Sequence, residues 1–151
     1  MHAHHTPGDS NHAALMATLH CLTGCALGEV VGMAVATALA WGNAASIALS
    51  IGLAFAFGYA LALWPVLRAG VGFRRASGIV VAAETVSISI MEAIDNLFVV
   101  LVPGALAAGL GDAKFWWSIA IGFAIAFGPT FLANRWLIAR GRGHAVMHDY
   151  H

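Results

Sequence analysis

Four apolar runs, each about as long as the 20 residues a helix needs to cross a bilayer, take up most of this chain. They cover residues 13–41, 44–67, 77–102 and 115–139. Only 9% of the residues are charged, 60% are hydrophobic and the mean hydropathy is +0.82. A soluble domain carries about 25% charged residues. The expected fold is therefore all-α and integral to a membrane, with four spanning helices and no room for a second domain. A His-rich flexible tail is expected over residues 1–12 and a His-containing tail over 141–151, flanking a transmembrane domain over 13–140. The first apolar run is far longer than a signal-peptide core of about 7–15 residues, so it reads as a retained helix.

Direction follows from the basic residues. Arg68, Arg74 and Arg75 lie in or beside the second loop, and Arg140 and Arg142 lie in the tail, whereas Lys114 stands alone in the third loop. Positive residues stay on the cytoplasmic side, so both termini are expected there, in a bacterial inner membrane crossed several times. Trp41, Trp116 and Trp117 should mark the outer interface, and Trp64 and Trp136 the inner one. The first two helices are joined by little more than Gly42-Asn43 and should form a tight hairpin. The neutral charge balance, seven basic against seven acidic residues, argues against nucleic acid as a partner.

An internal similarity joins the second and fourth runs. Residues 51–58 read IGLAFAFG and residues 121–128 read IGFAIAFG, identical at six of eight positions. A chance match of common membrane residues is one account. The other is a parallel repeat of two similar helical hairpins, an arrangement that places transporter sites at the repeat interface. Sliding the first helix onto the third then sets Glu29 against Glu92.

Four of the seven acidic residues, Glu29, Glu84, Glu92 and Asp95, lie inside the apolar runs. A carboxylate at bilayer depth costs roughly 2.5–3.5 kcal/mol or more. Such groups must be protonated, paired, bound to a cation or facing water. Carboxylates spaced along one helix side in low dielectric cannot all be ionised. Arg135 is the one basic residue within a run and is expected to pair with Glu84. On the first helix Cys21, Cys25, Glu29 and Met33 recur every fourth residue, beside a stripe of Gly24, Gly28 and Gly32 that would admit a close helix. On the third, Glu84, Met91 and Asp95 share one side, with Glu92 and Asn96 adjoining.

Thiolate and thioether suit copper or zinc, and carboxylate suits harder cations. Cys21, Cys25, Glu29, His20, Glu92 and Asp95 are thus candidate metal ligands. Glu84, Met91, Met33 and Asn96 would line an ion or proton path. Plain packing, with the acids in a protonated hydrogen-bond network, is the competing account. An i,i+4 disulfide would distort the helix, so free thiols are expected. His2, His4, His5, His144, His148 and His151 in the tails are candidates for metal capture.

Several stretches resemble a bacterial multi-pass membrane family, domain of unknown function 4396. They are His20 to Glu29, Phe57 to Leu61, Glu84 to Ile88, Met91 to Asn96, and Asn134 to Gly141 with Gly143 to Val146. The resemblance runs from His20 onward and implies a four-helix membrane unit but no activity. Function therefore rests on the residues. The expectation is a small membrane protein that binds and moves a transition metal or protons. It would be a homo-oligomer or part of a larger complex, in contact with lipid, with a possible copper or zinc ion and no organic cofactor. The alternatives are a non-transporting subunit or assembly factor of a respiratory or metal-handling complex, and a membrane thiol oxidoreductase. No nucleotide loop, catalytic triad or haem-attachment motif is present, so a soluble-type enzyme is not expected.

Overall fold

The computed structural model describes residues 7–140, which form four helices and, among the described residues, no strand. They are α1 (Pro7–Ala38), α2 (Asn43–Arg68), α3 (Phe73–Leu101) and α4 (Ala113–Ala139). Each is long and apolar enough to span a membrane. The expected spans are all present, with shifted ends. α1 begins at Pro7, inside the segment expected to be a flexible tail. Proline suits the first helical position, where its missing N–H costs nothing, and Asp9 adds an acid to the first turn, where the helix dipole favours it.

α1 ends at Ala38 rather than at Trp41. The chain turns through Ala40, whose φ of 54° is left-handed. Trp41 N donates to Ala36 O at 2.9 Å and Ala40 N to Thr37 O at 3.1 Å, the paired bonds that close a helix terminus. Glycine usually takes this position; an alanine there carries no stop signal in the sequence. The 102–112 segment is folded over the bundle end. Ala105 and Ala108 are buried, Lys114 Nζ donates to Pro103 O at 3.2 Å, and Trp116 Nε1 donates to Leu110 O at 2.8 Å. The Asp112 carboxylate accepts from Lys114 N and caps α4.

α1 and α3 each pack against every other helix, while α2 and α4 occupy opposite corners. The pattern of side-chain size is inverted relative to a soluble core. The interior is rich in Ala, Gly, Ser, Thr and Cys around a few larger side chains such as Ile88, Met91 and Phe123, and Leu15, Leu19, Leu97, Leu101, Ile125 and Leu132 face outward. Lipid is as apolar as leucine, so close backbone approach rather than apolar burial drives such packing. The seam between α1 and α2 shows it most clearly. Gly24 lies on Gly58, Gly28 on Ala54 and Gly32 on Ser50, and a Cβ at any of the three would collide with its partner. The glycine stripe thus admits a close helix as expected, and that helix is α2.

The similar blocks of α2 and α4 do not face the same way. Ala54 and Gly58 are buried, while Ala124 and Gly128 at the matching positions are exposed; Gly52 is exposed and Gly122 buried. The buried column of α2 is Ser50, Ala54, Gly58, Ala62 and Val66, and that of α4 includes Ser118, Gly122, Ala126, Thr130 and Asn134. These columns correspond at a spacing of 68 residues, whereas the matching blocks lie 70 apart. Two residues turn a helix by about 200°, which sends matched residues to opposite sides.

Gly28→Val should destabilise the protein by about 1–3 kcal/mol or more, the cost of overpacking a tight contact. Gly52→Val, where no neighbour stands within 4 Å, should be close to neutral. Thermal unfolding in detergent of both variants beside the parent checks the contrast.

Candidate functional site

Two groups of polar residues are buried in the bundle, one toward each end. The first forms where α1 and α3 meet. Glu29 stands one position after the seam residue Gly28, about 100° round α1, which points it away from the α2 backbone. Glu92 and Asp95 come from the buried side of α3. The three carboxylates are close enough to act on one another electrostatically, so the acids of the first and third helices do converge. Asp95 is fully buried and neither of its carboxyl oxygens has a hydrogen-bond partner among the described residues; the same holds for one oxygen each of Glu29 and Glu92. The other Glu92 oxygen accepts from Asn96 Nδ2 at 3.1 Å, and the Cys25 thiol lies within hydrogen-bonding reach of the same carboxyl group.

Gly122 of α4 makes room for this arrangement. The Asp95 carboxyl group occupies the space that a side chain at 122 would need. No Lys or Arg occurs anywhere in α1, and those of the other helices sit toward their ends.

A cavity of about 40 Å³ opens beside Glu29. A site needs roughly 10–15 Å³ on this measure to hold one water, so several fit. The lining includes Glu29, Met33, Asn43, Ser46, Ser50, Asn96 and Ser118, with Leu106 and Phe115 from the folded loop end. Among the described residues no lysine, arginine or histidine lines it. The cavity therefore joins the carboxylate group to the end of the bundle that carries the Gly42 turn and the 102–112 segment.

The second group lies toward the arginine-bearing end. Ser87 of α3 donates to Asn134 Oδ1 of α4, Asn134 Nδ2 donates to Thr18 Oγ1 of α1 at 3.0 Å, and Thr18 donates to Ala14 O at 2.7 Å. All three side chains are fully buried. One amide thus ties three helices. Glu84, also buried, lies one turn from Ser87 on α3, and Thr130 one turn from Asn134 on α4. Between the two groups sits apolar packing of Cys21, Cys25, Ala54, Ile88, Met91 and Ala126.

The sequence-derived candidates divide accordingly. Glu29, Glu92, Asp95 and Asn96 come together, and Met33 lines their cavity. Met91 is core. Cys21 and Cys25 are fully buried free thiols, as expected, in that apolar cluster. His20 is half-buried, and its Nδ1 pairs with Met16 O at 2.9 Å on its own helix. One residue from Cys21, it sits about 100° round α1 from the thiol. Among the described residues no three His, Cys, Asp or Glu side chains form a group able to hold a metal ion. The soft copper or zinc site expected from Cys21, Cys25, His20 and the acids is not assembled there: Cys25 reaches the Glu92 carboxyl group, but Cys21 packs in the apolar cluster and His20 pairs with its own helix. Arg135 is exposed, next to the buried Asn134 that faces α3. His2, His4, His5, His144, His148 and His151 lie outside the described residues. Sequence reasoning missed Thr18, Asn134 and Gly122. An asparagine inside an apolar run was the available signal for Asn134; nothing marked Thr18 or which glycine would receive Asp95.

These features define a multi-pass membrane helix bundle with carboxylates buried in its interior. The family model described as a domain of unknown function (DUF4396) matches residues 10–143, and the chain belongs to that family. No curated protein and no solved structure matches it.

A double-mutant cycle on Ser87→Ala and Asn134→Ala should return a coupling of roughly 1 kcal/mol, within the range for interhelical hydrogen bonds in membranes. Additive effects would show that the amide does not bind the two helices together.

Proposed function

We propose that this protein takes up protons into an intramembrane carboxylate group, Glu29 with Glu92 and Asp95, and passes them through the bundle. The observation that carries this reading is the cavity. It leads from one end of the bundle to Glu29, which in turn faces two buried carboxyl groups with unpartnered oxygens. Buried ionisable groups inside membrane helices are costly and mark ion or proton pathways. The proton is favoured over copper or zinc because, among the described residues, no three His, Cys, Asp or Glu side chains form a group able to hold a metal ion. The Ser87–Asn134–Thr18 group and Glu84 supply polar atoms on the far side of the Ile88 and Met91 packing, which separates the two halves.

The distribution of arginines supports an orientation with the Gly42 turn and the 102–112 segment outside and both termini in the cytoplasm of a bacterial cell. A reporter fused after His151 should then be active only if it is a cytoplasmic type.

A non-transporting subunit or assembly role is the second reading. The satisfied Ser87–Asn134–Thr18 tie supports it, being what a scaffold needs. A thiol oxidoreductase is the weaker one, since thiol exchange requires access and both thiols are fully buried.

The test is proton flux into liposomes carrying a trapped pH dye and the purified protein. Glu29→Gln and Asp95→Asn should each lower the rate by roughly two orders of magnitude, the usual contribution of a positioned proton-transfer group. Flux equal to that of empty liposomes in the parent protein, or unchanged by Glu29→Gln, would leave the subunit reading in its place.

A further inference from the structure

We infer that the cavity beside Glu29 is a binding site for a hydrated monovalent alkali cation, held by the Glu29 carboxylate and the side-chain oxygen of Asn96, with the Ser50 and Ser118 hydroxyls around it. This deepens the proton reading, because the same carboxylate would be shared by the two ions.

The chemistry of the lining argues for a hard cation. Asn96 Nδ2 is committed to Glu92, through its backbone oxygen at 2.9 Å and its carboxyl oxygen at 3.1 Å. That leaves the amide oxygen of Asn96 for the cavity it lines. The Ser118 hydroxyl donates to Lys114 O at 2.5 Å, so its lone pairs are what it offers. Glu29 lines the cavity, and its carboxylate offers only acceptor oxygens. The accessible ligands are therefore oxygen acceptors, which suit hard cations, and the polar lining has no thiol or imidazole.

Charge decides the valence. Only Glu29 of the three carboxylates lines the cavity, and one carboxylate balances one positive charge. Calcium sites take about six to eight oxygens with several carboxylates among them; this lining does not supply that set. The room for several waters lets the ion keep part of its hydration shell.

An independent observation points to the same place. Asp95 and Glu92 are buried close enough to Glu29 to interact with it electrostatically, and have oxygens without partners among the described residues. The other groups facing Glu29 are few. α3 contributes Glu92, Asp95 and Asn96, and α1 contributes Cys25 one turn away. α2 contributes Asn43, Ser46 and Ser50 and α4 contributes Ser118 to the polar lining, none of them ionisable. A proton on Glu29 removes the charge that holds the cation, so the two must compete.

The experiment is thermal unfolding of the full-length protein in detergent, titrated with sodium chloride, potassium chloride and choline chloride at constant ionic strength, under alkaline and mildly acidic conditions. Sodium or potassium should raise the unfolding temperature over choline at alkaline pH, with the difference shrinking on acidification. Glu29→Gln should abolish the difference and Asn96→Leu should weaken the response several-fold. Ser118→Ala serves as a second variant if either fails to fold, and should also weaken it. Identical behaviour in the three salts, or an alkali response that survives Glu29→Gln, would overturn the inference. The proton reading fails separately. Liposome flux unaffected by Glu29→Gln, together with an alkali response that depends on Glu29, would leave a cation site without proton conduction. Flux lost in Glu29→Gln with no alkali response would leave the proton path alone.

Discussion

The close approach of α1 to α2 governs the rest of the structure. Gly24, Gly28 and Gly32 bring the α1 backbone onto Gly58, Ala54 and Ser50. With that side of α1 committed, its rotation is set. Cys21, Cys25 and Glu29 then turn toward α3 rather than toward lipid. A single larger side chain in the seam would push the helices apart and move Glu29 with them. The energetic logic differs from that of a soluble core. Burying leucine gains little in hydrocarbon, so small residues that permit dense backbone packing take its place.

That rotation creates the central problem of the fold, three carboxyl groups brought together at one place in an apolar bundle. The protein manages it in three ways. Glu29 is given a cavity with polar walls. Glu92 receives the Asn96 amide. Asp95 is set against Gly122, where the missing side chain leaves it space but no donor. Asp95 is therefore the least satisfied of the three. A group so placed gains most from a proton or from a nearby cation, which is why the cavity and the acids read as one functional unit. At the other end the same helices meet through a satisfied group, Ser87–Asn134–Thr18, which costs little and holds α1, α3 and α4 in place.

Much of the fold was legible in the chain. The four spans follow from apolar length, which the hydrocarbon thickness dictates. The shifted ends have local causes. Pro7 and Asp9 can start a helix but fell within a polar, histidine-rich stretch, and Ala40 ends one without the glycine that usually announces it. The acids at Glu29, Glu92 and Asp95 stood out because ionisable residues in apolar runs are rare. Asn134 and Thr18 did not, because a lone amide or hydroxyl in a long run has no periodic signature. His20 and Cys21 are adjacent in sequence but lie about 100° apart on a helix, so the histidine does not share the face of the thiols.

The sequence by itself determined the membrane setting, the number of spans and the helix sides that could not face lipid. These are one-dimensional properties of length, hydropathy and helical period. The tertiary structure decided which helix fills the glycine stripe, that Glu29 meets Glu92 and Asp95, that Gly122 rather than Gly52 takes a close neighbour, and that the matching blocks of α2 and α4 face opposite ways. Each of those depends on the rotation of one helix against another. Rotation is set by where two backbones come closest, a property of pairs of helices that no single run of residues contains.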